Sequence, residues 1–466
     1  MAMAMADPSA ELEKLREENA SLRDQLRHHT LRELAAGGDG LRGNSGGDGG
    51  GEGGACPAAA WAAGGHGLSR DQVQRYSRQL LLPSFGVVAQ ERLCEGSVLI
   101  VGAGGLGSPV ALYLAACGVG CLGIMDPDRV EVHNLHRQVI HTEASVGELK
   151  VASASRACLA INSSIKVVAY PFGLAAKNAL EIIRQYDVVV DASDNVATRY
   201  LVSDACVVAN RPLVSGAALG MEGQLTVYNY SNGPCYRCLF PTPPPQAACQ
   251  RCSDAGVLGV VPGIVGTFQA LEAIKILSKV GDPLSSRMLI LDSMSSRIHT
   301  VKLRGKSAEC VACGGSPAIN HITLPNFDYE GFSSSPMSDA VPQRQQVVGE
   351  DQSITCRDYH KSVEGHMAHV LLDVRDQHQY IIASLPNSLN VPFDKLPEQL
   401  DTVRGAARKH APDGGENVPL YVICRRGNDS QQAVQVLRSA GFNSVYDITG
   451  GLQSWVQEVD PAFPDL

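Results

Sequence analysis

Four cysteines form two pairs with the spacing of a metal knuckle. Cys235 and Cys238 are separated by two residues, and so are Cys310 and Cys313. Two such pairs can supply the four thiolates of a tetrahedral Zn²⁺ site. A redox-active pair is the alternative, but such a pair normally follows a strand and opens a helix, whereas Cys235 follows the turn sequence NGP. The spacing therefore favours a structural zinc site that fastens the end of a domain and does not itself catalyse.

Three further cysteines lie in surroundings suited to thiol chemistry. Cys424 ends an apolar strand and begins the loop CRRGNDS, which precedes a helix. Backbone N–H groups in such a loop, with Arg425 and Arg426 beside the sulfur, are expected to stabilise a thiolate or persulfide anion. Cys252 follows an arginine at the end of a proline-rich loop, and nearby Cys249 competes with it for the role of a nucleophile. A reactive thiol is predicted at Cys424, and the choice between the other two stays open on residue type.

A glycine-rich stretch follows the first apolar strand of the chain. The strand Val98–Val101 runs into GAGGLG at residues 102–107, which is the pattern G-x-G-x-x-G opening a helix. A second strand, Leu122–Met125, ends in Asp126, where a carboxylate can accept a hydrogen bond from a ribose hydroxyl. Phosphates would lie at the helix N-terminus, where N–H groups and the helix dipole favour anions. The stretch predicts a nucleotide site and is compatible with NAD as well as with ATP.

Polar residues further along bear on which nucleotide is bound. Asn134, Arg137 and Lys150 lie downstream of the second strand, and Asp194 and Asn195 follow a later one. A dinucleotide carries only a pyrophosphate, so an arginine together with a lysine suits a triphosphate better. Asp194 can hold Mg²⁺ against those phosphates. The alternative is that these charges lie on the solvated surface, because one arginine and one lysine are weak evidence for a phosphate site unless the fold brings them together.

Length, charge and cysteine content restrict the class of protein. A chain of 466 residues is expected to form roughly three units. Its net charge of -9 argues against a general nucleic-acid or anionic-membrane binder. No uninterrupted run of 18 apolar residues and no apolar signal-peptide core occur, so no transmembrane helix is expected. Fourteen cysteines without an export signal indicate metal or thiol chemistry in a reducing compartment, and we expect a cytosolic protein.

Strand and helix patterns alternate along the middle of the chain, which predicts an α/β fold with a mostly parallel sheet. The predicted strands are Lys166–Tyr170, Asp187–Asp191 and Leu213–Gly216, and the predicted helices are Ala179–Gln185, Ala197–Ala209 and Ile264–Ser278. Gln224–Tyr230 alternates like an antiparallel strand, which makes the sheet mixed. Four regions are expected: a disordered segment with a short possible coiled coil at 1–67, a domain at 68–325, a linker at 326–353 and a last domain at 354–466.

Residues 68–315 closely resemble the MoeB/ThiF branch of the ubiquitin-activating-enzyme-like superfamily. The motifs that carry the resemblance are RYSRQLLLP, GAGGLGSP, the segment Asp126–Gln138, GELK, DASDNVATRY, GPCYRC and GVLGVVPGIVG. Residues 354–463 resemble a rhodanese domain through LLDVRD, CRRGNDSQ and GGLQSW. In this order the two resemble the eukaryotic adenylyltransferase–sulfurtransferases of molybdopterin synthesis and tRNA 2-thiolation. The resemblance implies a Rossmann-like, mixed-sheet activating domain with zinc knuckles, followed by a smaller α/β rhodanese domain.

The resemblance also implies a two-stage reaction. The C-terminal Gly-Gly carboxylate of a ubiquitin-like sulfur carrier would attack Mg·ATP, giving an acyl-adenylate and pyrophosphate. A persulfide received from a cysteine desulfurase would then convert the adenylate into a thiocarboxylate. The implied carriers are the small subunit of molybdopterin synthase and the modifier of tRNA thiolation, and the implied assembly is a homodimer through the activating domain.

Residue roles carried over from the family are expectations of the same kind. In the nucleotide site, Gly105 would face the phosphates, Asp126 the ribose and Lys150 the transition-state charge, with Asp194 on Mg²⁺ beside Asn195. Nucleotide contacts would also come from His133, Asn134, Leu135, His136 and Arg137, although His133 stands where serine or asparagine is usual. Arg78 would reach the partner subunit's ATP. Cys235, Cys238, Cys310 and Cys313 match the zinc ligands, Cys252 rather than Cys249 matches the thioester-forming cysteine, and Cys424 would carry the persulfide.

Two other classes of function remain as alternatives. An NAD(P)-dependent oxidoreductase would explain the glycine-rich fingerprint but leaves the two cysteine pairs, Arg137, Lys150 and the whole last domain unexplained. A scaffold that binds ubiquitin-like proteins without catalysis would need no reactive Cys424.

Overall fold

A computed structural model describes residues 65–244, 256–337, 346–411 and 418–464 of the chain. The chain divides into two compact units, Met1–Asp339 and Ala340–Leu466, here called the first and the second unit. The predictions for residues 1–64 and for Cys249 and Cys252 therefore lie outside the described residues.

The first unit is built on an eight-stranded sheet with the order β3-β2-β1-β4-β5-β6-β7-β8. Strands β1 to β5 are parallel, and β5 to β8 are joined in antiparallel pairs, so the predicted mixed sheet is confirmed. Short runs of valine, isoleucine and leucine make the central strands, because both faces of a parallel sheet are covered by helices. The strands are β1 Ser97–Val101, β2 Cys121–Met125, β3 Lys166–Tyr170, β4 Val188–Asp191, β5 Leu213–Leu219, β6 Glu222–Tyr228, β7 Arg287–Asp292 and β8 Arg297–Lys302.

Helices cover both faces of this sheet, and two hydrophobic clusters lie between them and the strands. The segment before β1 forms three short helices, and Pro83 lies between the second and the third, where it cannot continue a helix. The α-helices are α1 Arg70–Arg75, α2 Ser77–Leu80, α3 Gly86–Glu95, α4 Gly107–Cys117, α5 Lys150–Ile161, α6 Ala176–Ile183, α7 Val196–Val208, α8 Tyr236–Leu239, α9 Val260–Ser278 and α10 Tyr329–Ser333.

One helix within the described ranges, α9, is long and apolar enough to cross a membrane by length and composition. Its Val261, Val265 and Ala273 belong to a hydrophobic cluster of the first unit. Its buried Gln269 donates through Nε2 to the carbonyl oxygen of Asp191 at 2.6 Å. These contacts make α9 a core helix of the sheet.

The predicted linker at 326–353 is too long at both ends. Residues 326–337 pack on the first unit, where the Tyr329 hydroxyl donates to Asp204 at 3.0 Å and Phe332 lies against Arg237. At the other end, Val348 is buried in the second unit. The polar, serine-rich composition of the segment gives no sign of these contacts, because one buried aromatic side chain is enough to fasten a segment to a hydrophobic core.

The second unit has a five-stranded parallel sheet with the order β11-β10-β12-β13-β9. Helices and two hydrophobic clusters flank it, as the α/β prediction requires. The strands are β9 Ser353–Ile354, β10 Val370–Asp373, β11 Leu389–Asn390, β12 Leu420–Ile423 and β13 Val445–Ile448, and the α-helices are α11 Cys356–Glu364, α12 Gln377–Ile382, α13 Leu400–His410, α14 Asp429–Ser439 and α15 Gly451–Glu458.

Candidate nucleotide and sulfur-transfer sites

The glycine-rich loop joins β1 to the N-terminus of α4. Gly102 has φ +104, and a Cβ there would lie 2.7 Å from the carbonyl oxygen of Ala192, so only glycine fits. A Cβ on Gly107 would overlap the carbonyl group of Gly102. The absence of a side chain at Gly107 therefore lets the helix pack closely against the end of the strand. At Gly104 the nearest atom to such a Cβ is 3.8 Å away. The loop is thus packed at both ends and open in the middle, where a phosphate would approach.

Asp126 and Lys150 meet beside this loop, although 23 residues separate them in sequence. The Asp126 carboxylate accepts from the backbone N–H of Ala103 at 2.8 Å, and its Oδ1 lies 3.9 Å from Lys150 Nζ. Lys150 also donates to Asp128 at 2.8 Å. Burial raises the pKa of Asp126, and the Lys150 charge opposes that rise. A buried ammonium therefore lies next to the loop where a phosphate charge would develop.

The segment His133–Arg137 begins within a short 3₁₀ turn, Val132–Asn134, and reaches the glycine-rich loop at Arg137. Arg137 is the residue of this segment that lies against the loop, because a Cβ on Gly105 would be 3.4 Å from Arg137 Cγ. Arg137 donates through Nη1 to the carbonyl oxygen of His133 at 2.9 Å, and that nitrogen lies 2.8 Å from His136 Nε2. Asn134 is buried and accepts from the backbone of Glu131, whereas Leu135 is half-buried and His133 and His136 are exposed. Asn134 thus shapes the turn that carries Arg137.

The residues that follow β4 lie against the glycine-rich loop, since a Cβ on Gly102 would contact the Ala192 carbonyl oxygen. Asp191 is buried and accepts from the hydroxyl groups of Ser193 at 2.6 Å and Ser215 at 3.0 Å. Asp194, three residues further, is exposed and available as an oxygen ligand. Asn195 caps α7 by accepting from Thr198 N, and its Nδ2 donates to the carbonyl oxygen of Met337. Its side chain thus holds the end of the first unit beside the predicted magnesium residue.

Two residues of this site were missed by sequence reasoning. His141 Nε2 lies 3.2 Å from the Ala103 carbonyl oxygen and Nδ1 lies 2.9 Å from Ser153 Oγ, so Nε2 carries the proton because a carbonyl can only accept. Burial lowers the pKa of His141 and keeps it neutral. Gln138 projects its Nε2 towards Gly104, and its buried Oε1 has no hydrogen-bond partner among the described residues. Gln138 lies inside the quoted motif, but an amide alone signals no chemistry.

Arg78 lies exposed on α2. Its contact with a partner subunit's nucleotide stays a prediction, as do the roles of the other nucleotide residues.

The four knuckle cysteines lie together at the end of the sheet, and all are buried. Their sulfur atoms are 3.8 Å apart between Cys235 and Cys238, 3.6 Å between Cys235 and Cys310, and 3.4 Å between Cys238 and Cys313. A tetrahedron with Zn–S bonds of about 2.3 Å has edges of about 3.8 Å, so the quartet fits zinc. Burial raises the pKa of Cys313 to about 12 and raises that of Cys235 as well. At Cys238 burial is outweighed by hydrogen bonds, which lower its pKa. A cation would therefore be needed above all to hold Cys235 and Cys313 as thiolates.

Cys424 lies at the end of β12 beneath a glycine-rich turn and is 1% exposed. Its sulfur accepts from the N–H of Gly427 at 3.1 Å and lies 3.3 Å from Ser430 Oγ. Burial raises the pKa of the Cys424 thiol, Asp429 adds to that rise, and the Ser430 contact opposes it. The depth of the sulfur thus favours the protonated thiol over the anion, which the sequence did not indicate, and the reactive sulfur at Cys424 stays a prediction.

The Cys424 loop is braced from the helix that follows it. Gly427 has φ +82, and the buried Gln431 donates to its carbonyl oxygen at 2.5 Å. The same amide accepts through Oε1 from the backbone N–H of Val347 at 2.8 Å. A continuous set of hydrogen bonds therefore joins the start of the second unit to the residue that faces the sulfur.

These features define a class of protein with two units. The first is an α/β unit with a glycine-rich loop and a buried cysteine quartet, and the second has a buried cysteine in a loop after a strand. Residues 76–312 match the ThiF family and residues 356–458 match the rhodanese-like domain. The adenylyltransferase and sulfurtransferase MOCS3-2 of Zea mays is 54% identical over 462 residues, covering 97% of this chain and 95% of that protein. The corresponding MOCS3 proteins of Arabidopsis thaliana and Mus musculus are 55% and 47% identical, each over 85–88% of both chains. The chain belongs to the ThiF family and, within it, to the MOCS3 adenylyltransferase–sulfurtransferases.

This membership confirms the fold class and the family resemblance, and nothing in it supports an oxidoreductase. Among solved structures, that of Escherichia coli MccB with ATP is 27% identical, with a TM-score of 0.46 over 52% of this chain and 74% of that one.

Proposed function

We propose that this chain adenylates the C-terminal glycine of ubiquitin-like sulfur carriers and then replaces one carboxyl oxygen with sulfur. The observation that carries the proposal is the Asp126–Lys150 pair beside an open glycine loop, in one chain with the buried Cys424 loop. The first arrangement suits a phosphate anhydride and the second suits a sulfur carrier. The names of the MOCS3 relatives support both activities.

In the first step, a carboxylate oxygen of the carrier attacks the α-phosphorus of ATP, and the bond to the β-phosphate oxygen breaks. Lys150 and Arg137 stabilise the charge that grows on the phosphates, and Asp126 accepts from the ribose. The exposed Asp194 would hold Mg²⁺, which supplies further charge neutralisation on the phosphates. The products are the acyl-adenylate and pyrophosphate.

In the second step, the outer sulfur of a Cys424 persulfide attacks the acyl carbon and AMP leaves. The carboxylate is a poor electrophile, and adenylation supplies the leaving group that a sulfur nucleophile needs. The acyl disulfide that results is released as a thiocarboxylate when an external thiol attacks the Cys424 sulfur, and a second external thiol reduces the mixed disulfide that this leaves on Cys424. The family resemblance gives Cys252 a different role, that of the cysteine that forms a thioester. Cys235, Cys238, Cys310 and Cys313 would hold Zn²⁺, which supplies a structural cross-link.

The partners follow from this chemistry and from the family resemblance. The carriers are proteins that end in Gly-Gly, namely the small subunit of molybdopterin synthase and the modifier of tRNA thiolation. A cysteine desulfurase donates the sulfur, the activating domain forms a homodimer in which Arg78 reaches the partner subunit's ATP, and the protein works in the cytosol. We propose no membrane partner.

Exchange of labelled pyrophosphate into ATP, in the presence of a carrier ending in Gly-Gly, tests the proposal. Lys150→Ala is expected to slow the exchange by about 100-fold, because a charge at the transferring phosphate is lost. Lys177→Ala, at an exposed position of α6, is the matched control and is expected to exchange at the unaltered rate. Tight NAD binding without any carrier-dependent exchange would overturn the proposal in favour of an oxidoreductase.

A further inference from the structure

Near its start the second unit contains Val347 and Val348, here called the linker end. Val348 is 4% exposed and belongs to the hydrophobic cluster that also contains Cys424. The backbone N–H groups of Val347 and Val348 both donate to Gln431 Oε1 on α14, at 2.8 Å and 3.4 Å. The match to the rhodanese-like domain begins only at residue 356, so the linker end lies outside it. Two backbone donors and one buried side chain thus fasten the linker end to the helix that follows the Cys424 loop.

The Gln431 amide joins this linker end to the loop itself. Gln431 is fully buried and donates through Nε2 to the carbonyl oxygen of Gly427 at 2.5 Å. Its own oxygen has two lone pairs, and the two N–H groups of the linker end use both. If the linker end were undocked, this buried acceptor would lose its partners, which is unfavourable unless the amide turns to find others. The orientation of the amide, and with it the support of Gly427, therefore depends on the linker end.

Gly427 is a loop residue that needs such a support. Its φ of +82 is a conformation that glycine permits but does not enforce, because glycine has other conformations of similar energy. The carbonyl oxygen of Cys424 is held from the other side, where the N–H of Leu452 donates to it at 3.0 Å. The carbonyl oxygen of Gly427 is held by Gln431, and the N–H of the same glycine donates to Cys424 Sγ at 3.1 Å. Fixing the Gly427 carbonyl group thus helps to fix the donor that faces the sulfur.

We propose that the linker end is part of the sulfur-transfer site, and that Gln431 is a positioning residue which aims the Gly427 N–H at Cys424 while the linker end is docked. This inference rests on the proposed sulfurtransferase function. A backbone N–H that is already aimed at sulfur stabilises negative charge there without reorganising during the reaction. Because the linker end precedes the rhodanese-like match in the chain, the loop is fully organised only in a protein whose linker is docked.

Hydrogen exchange in the full-length protein, followed by mass spectrometry of the peptide that contains the Cys424 loop, tests the connection. Gln431→Met keeps the length of the side chain but loses its hydrogen-bonding groups, so the loop peptide is expected to exchange about tenfold faster. Val347→Pro acts from the other end, because it removes only the donor at 2.8 Å. The loop peptide of Val347→Pro is expected to exchange about threefold faster.

The double variant and a neighbouring glutamine separate this connection from a general loss of stability. Val347→Pro combined with Gln431→Met should exchange no faster than Gln431→Met alone, because both changes interrupt the same set of hydrogen bonds. Gln435→Ala is the matched control. Gln435 Nε2 also bonds the linker end, donating to the Val347 carbonyl oxygen at 3.2 Å, but from one turn further along α14. Its loop peptide should exchange at the wild-type rate.

The catalytic readout is sulfur transfer from thiosulfate to cyanide, which needs neither ATP nor a carrier. Thiosulfate passes its outer sulfur to Cys424 and releases sulfite, and cyanide then removes that sulfur as thiocyanate. In Gln431→Met the kcat is expected to fall about tenfold while the KM for thiosulfate is unchanged, because a misaligned N–H weakens charge stabilisation rather than donor binding. Gln435→Ala should retain the wild-type kcat.

Loop exchange at the wild-type rate in folded Gln431→Met would overturn the proposal, and so would additive effects in the double variant. If Gln431→Met does not fold, loop exchange in Val347→Pro decides in the same way, since that change lies outside the core of the unit. Absence of thiocyanate formation by the wild type would instead contradict the proposed sulfurtransferase function. The exchange rates would still decide the connection through Gln431, because they do not depend on activity.

Discussion

The two units each bury cysteine thiols, but they surround them with different neighbours. In the first unit each knuckle cysteine faces other sulfurs at 3.4–3.8 Å. In the second unit Cys424 faces the N–H of Gly427 and the hydroxyl of Ser430. Burial is the largest cause that raises the pKa of Cys235 in the first unit and of Cys424 in the second. The neighbours decide the use: grouped sulfurs need a metal ion, whereas a single sulfur among N–H and O–H groups can accept and pass on another sulfur.

The largest effect is expected at the single cysteine. Cys424→Ala removes the atom that carries the persulfide, so formation of carrier thiocarboxylate should fall by about 1,000-fold or more while pyrophosphate exchange is unchanged. Mass spectrometry of the carrier, which detects replacement of one oxygen by sulfur, measures the outcome. Cys356→Ala is the control, because Cys356 is a buried cysteine of the same unit whose S–H lies 3.5 Å from the Thr449 carbonyl oxygen. Full activity of Cys424→Ala would favour the scaffold alternative.

Removal of one clustered sulfur is expected to change stability rather than the chemical step. Cys235→Ala opens the proposed zinc site, so bound zinc should fall and the first unit should unfold about 10 °C lower. Elemental analysis and differential scanning calorimetry measure the two quantities. Cys206→Ala removes a buried cysteine of the same unit outside the quartet and should retain its zinc. A full zinc content with an unaltered melting curve would contradict the assignment.

A buried ion pair beside the cysteine quartet tests how much of the stability there comes from the surrounding residues rather than from the proposed metal. Arg237 lies in sequence between Cys235 and Cys238, has a buried side chain and pairs with Asp204 at 2.9 Å. Arg237→Ala leaves that carboxylate unpaired and should cost about 3–5 kcal/mol in the free energy of unfolding. The exposed Arg156–Glu148 pair is the reference, where Arg156→Ala should cost about 1 kcal/mol or less. Equal losses in the free energy of unfolding of the two variants, measured by urea titration, would mean that the buried pair stabilises the protein no more than the exposed pair.

The smallest expected effect is the dependence of the first unit's stability on pH. His141 in the first unit has its pKa lowered by burial, so the unfolded chain binds a proton first as the pH falls. The stabilisation from neutral His141 is present above about pH 6.5 and is lost as the pH falls towards the lowered value. The slope for one group is at most about 1.4 kcal/mol per pH unit. Urea titrations of the wild type and His141→Gln between pH 5 and 7.5 should show this slope only in the wild type.

In the second unit the pH response is expected in a higher range. Because burial raises the pKa of the Cys424 thiol, its reactivity with an alkylating agent should grow as the pH rises through the alkaline range. Equal pH responses of the two units would remove the distinction between them.

Much of the molecule was predictable because short-range patterns determine it. Strand β3 begins and ends at the predicted residues, and the alternation at Gln224–Tyr230 correctly indicated an antiparallel strand. The glycine pattern placed the loop between β1 and α4, since only glycine tolerates the positive φ of Gly102 and the close packing at Gly107. The quartet of cysteines assembled as its spacing predicts.

Residue types and spacings therefore determined the fold class, the family, the glycine-rich loop and the cysteine quartet, because each depends on a local backbone geometry or on a distinctive set of side chains. Tertiary structure alone decided how polar groups from distant strands and helices meet. It brought Lys150 to Asp126, His141 to Ala103 and, through Gln431, Val347 to Gly427. It also decided the depth of the Cys424 sulfur, and depth controls its protonation because a charge loses hydration when buried. No local pattern in the chain records that depth.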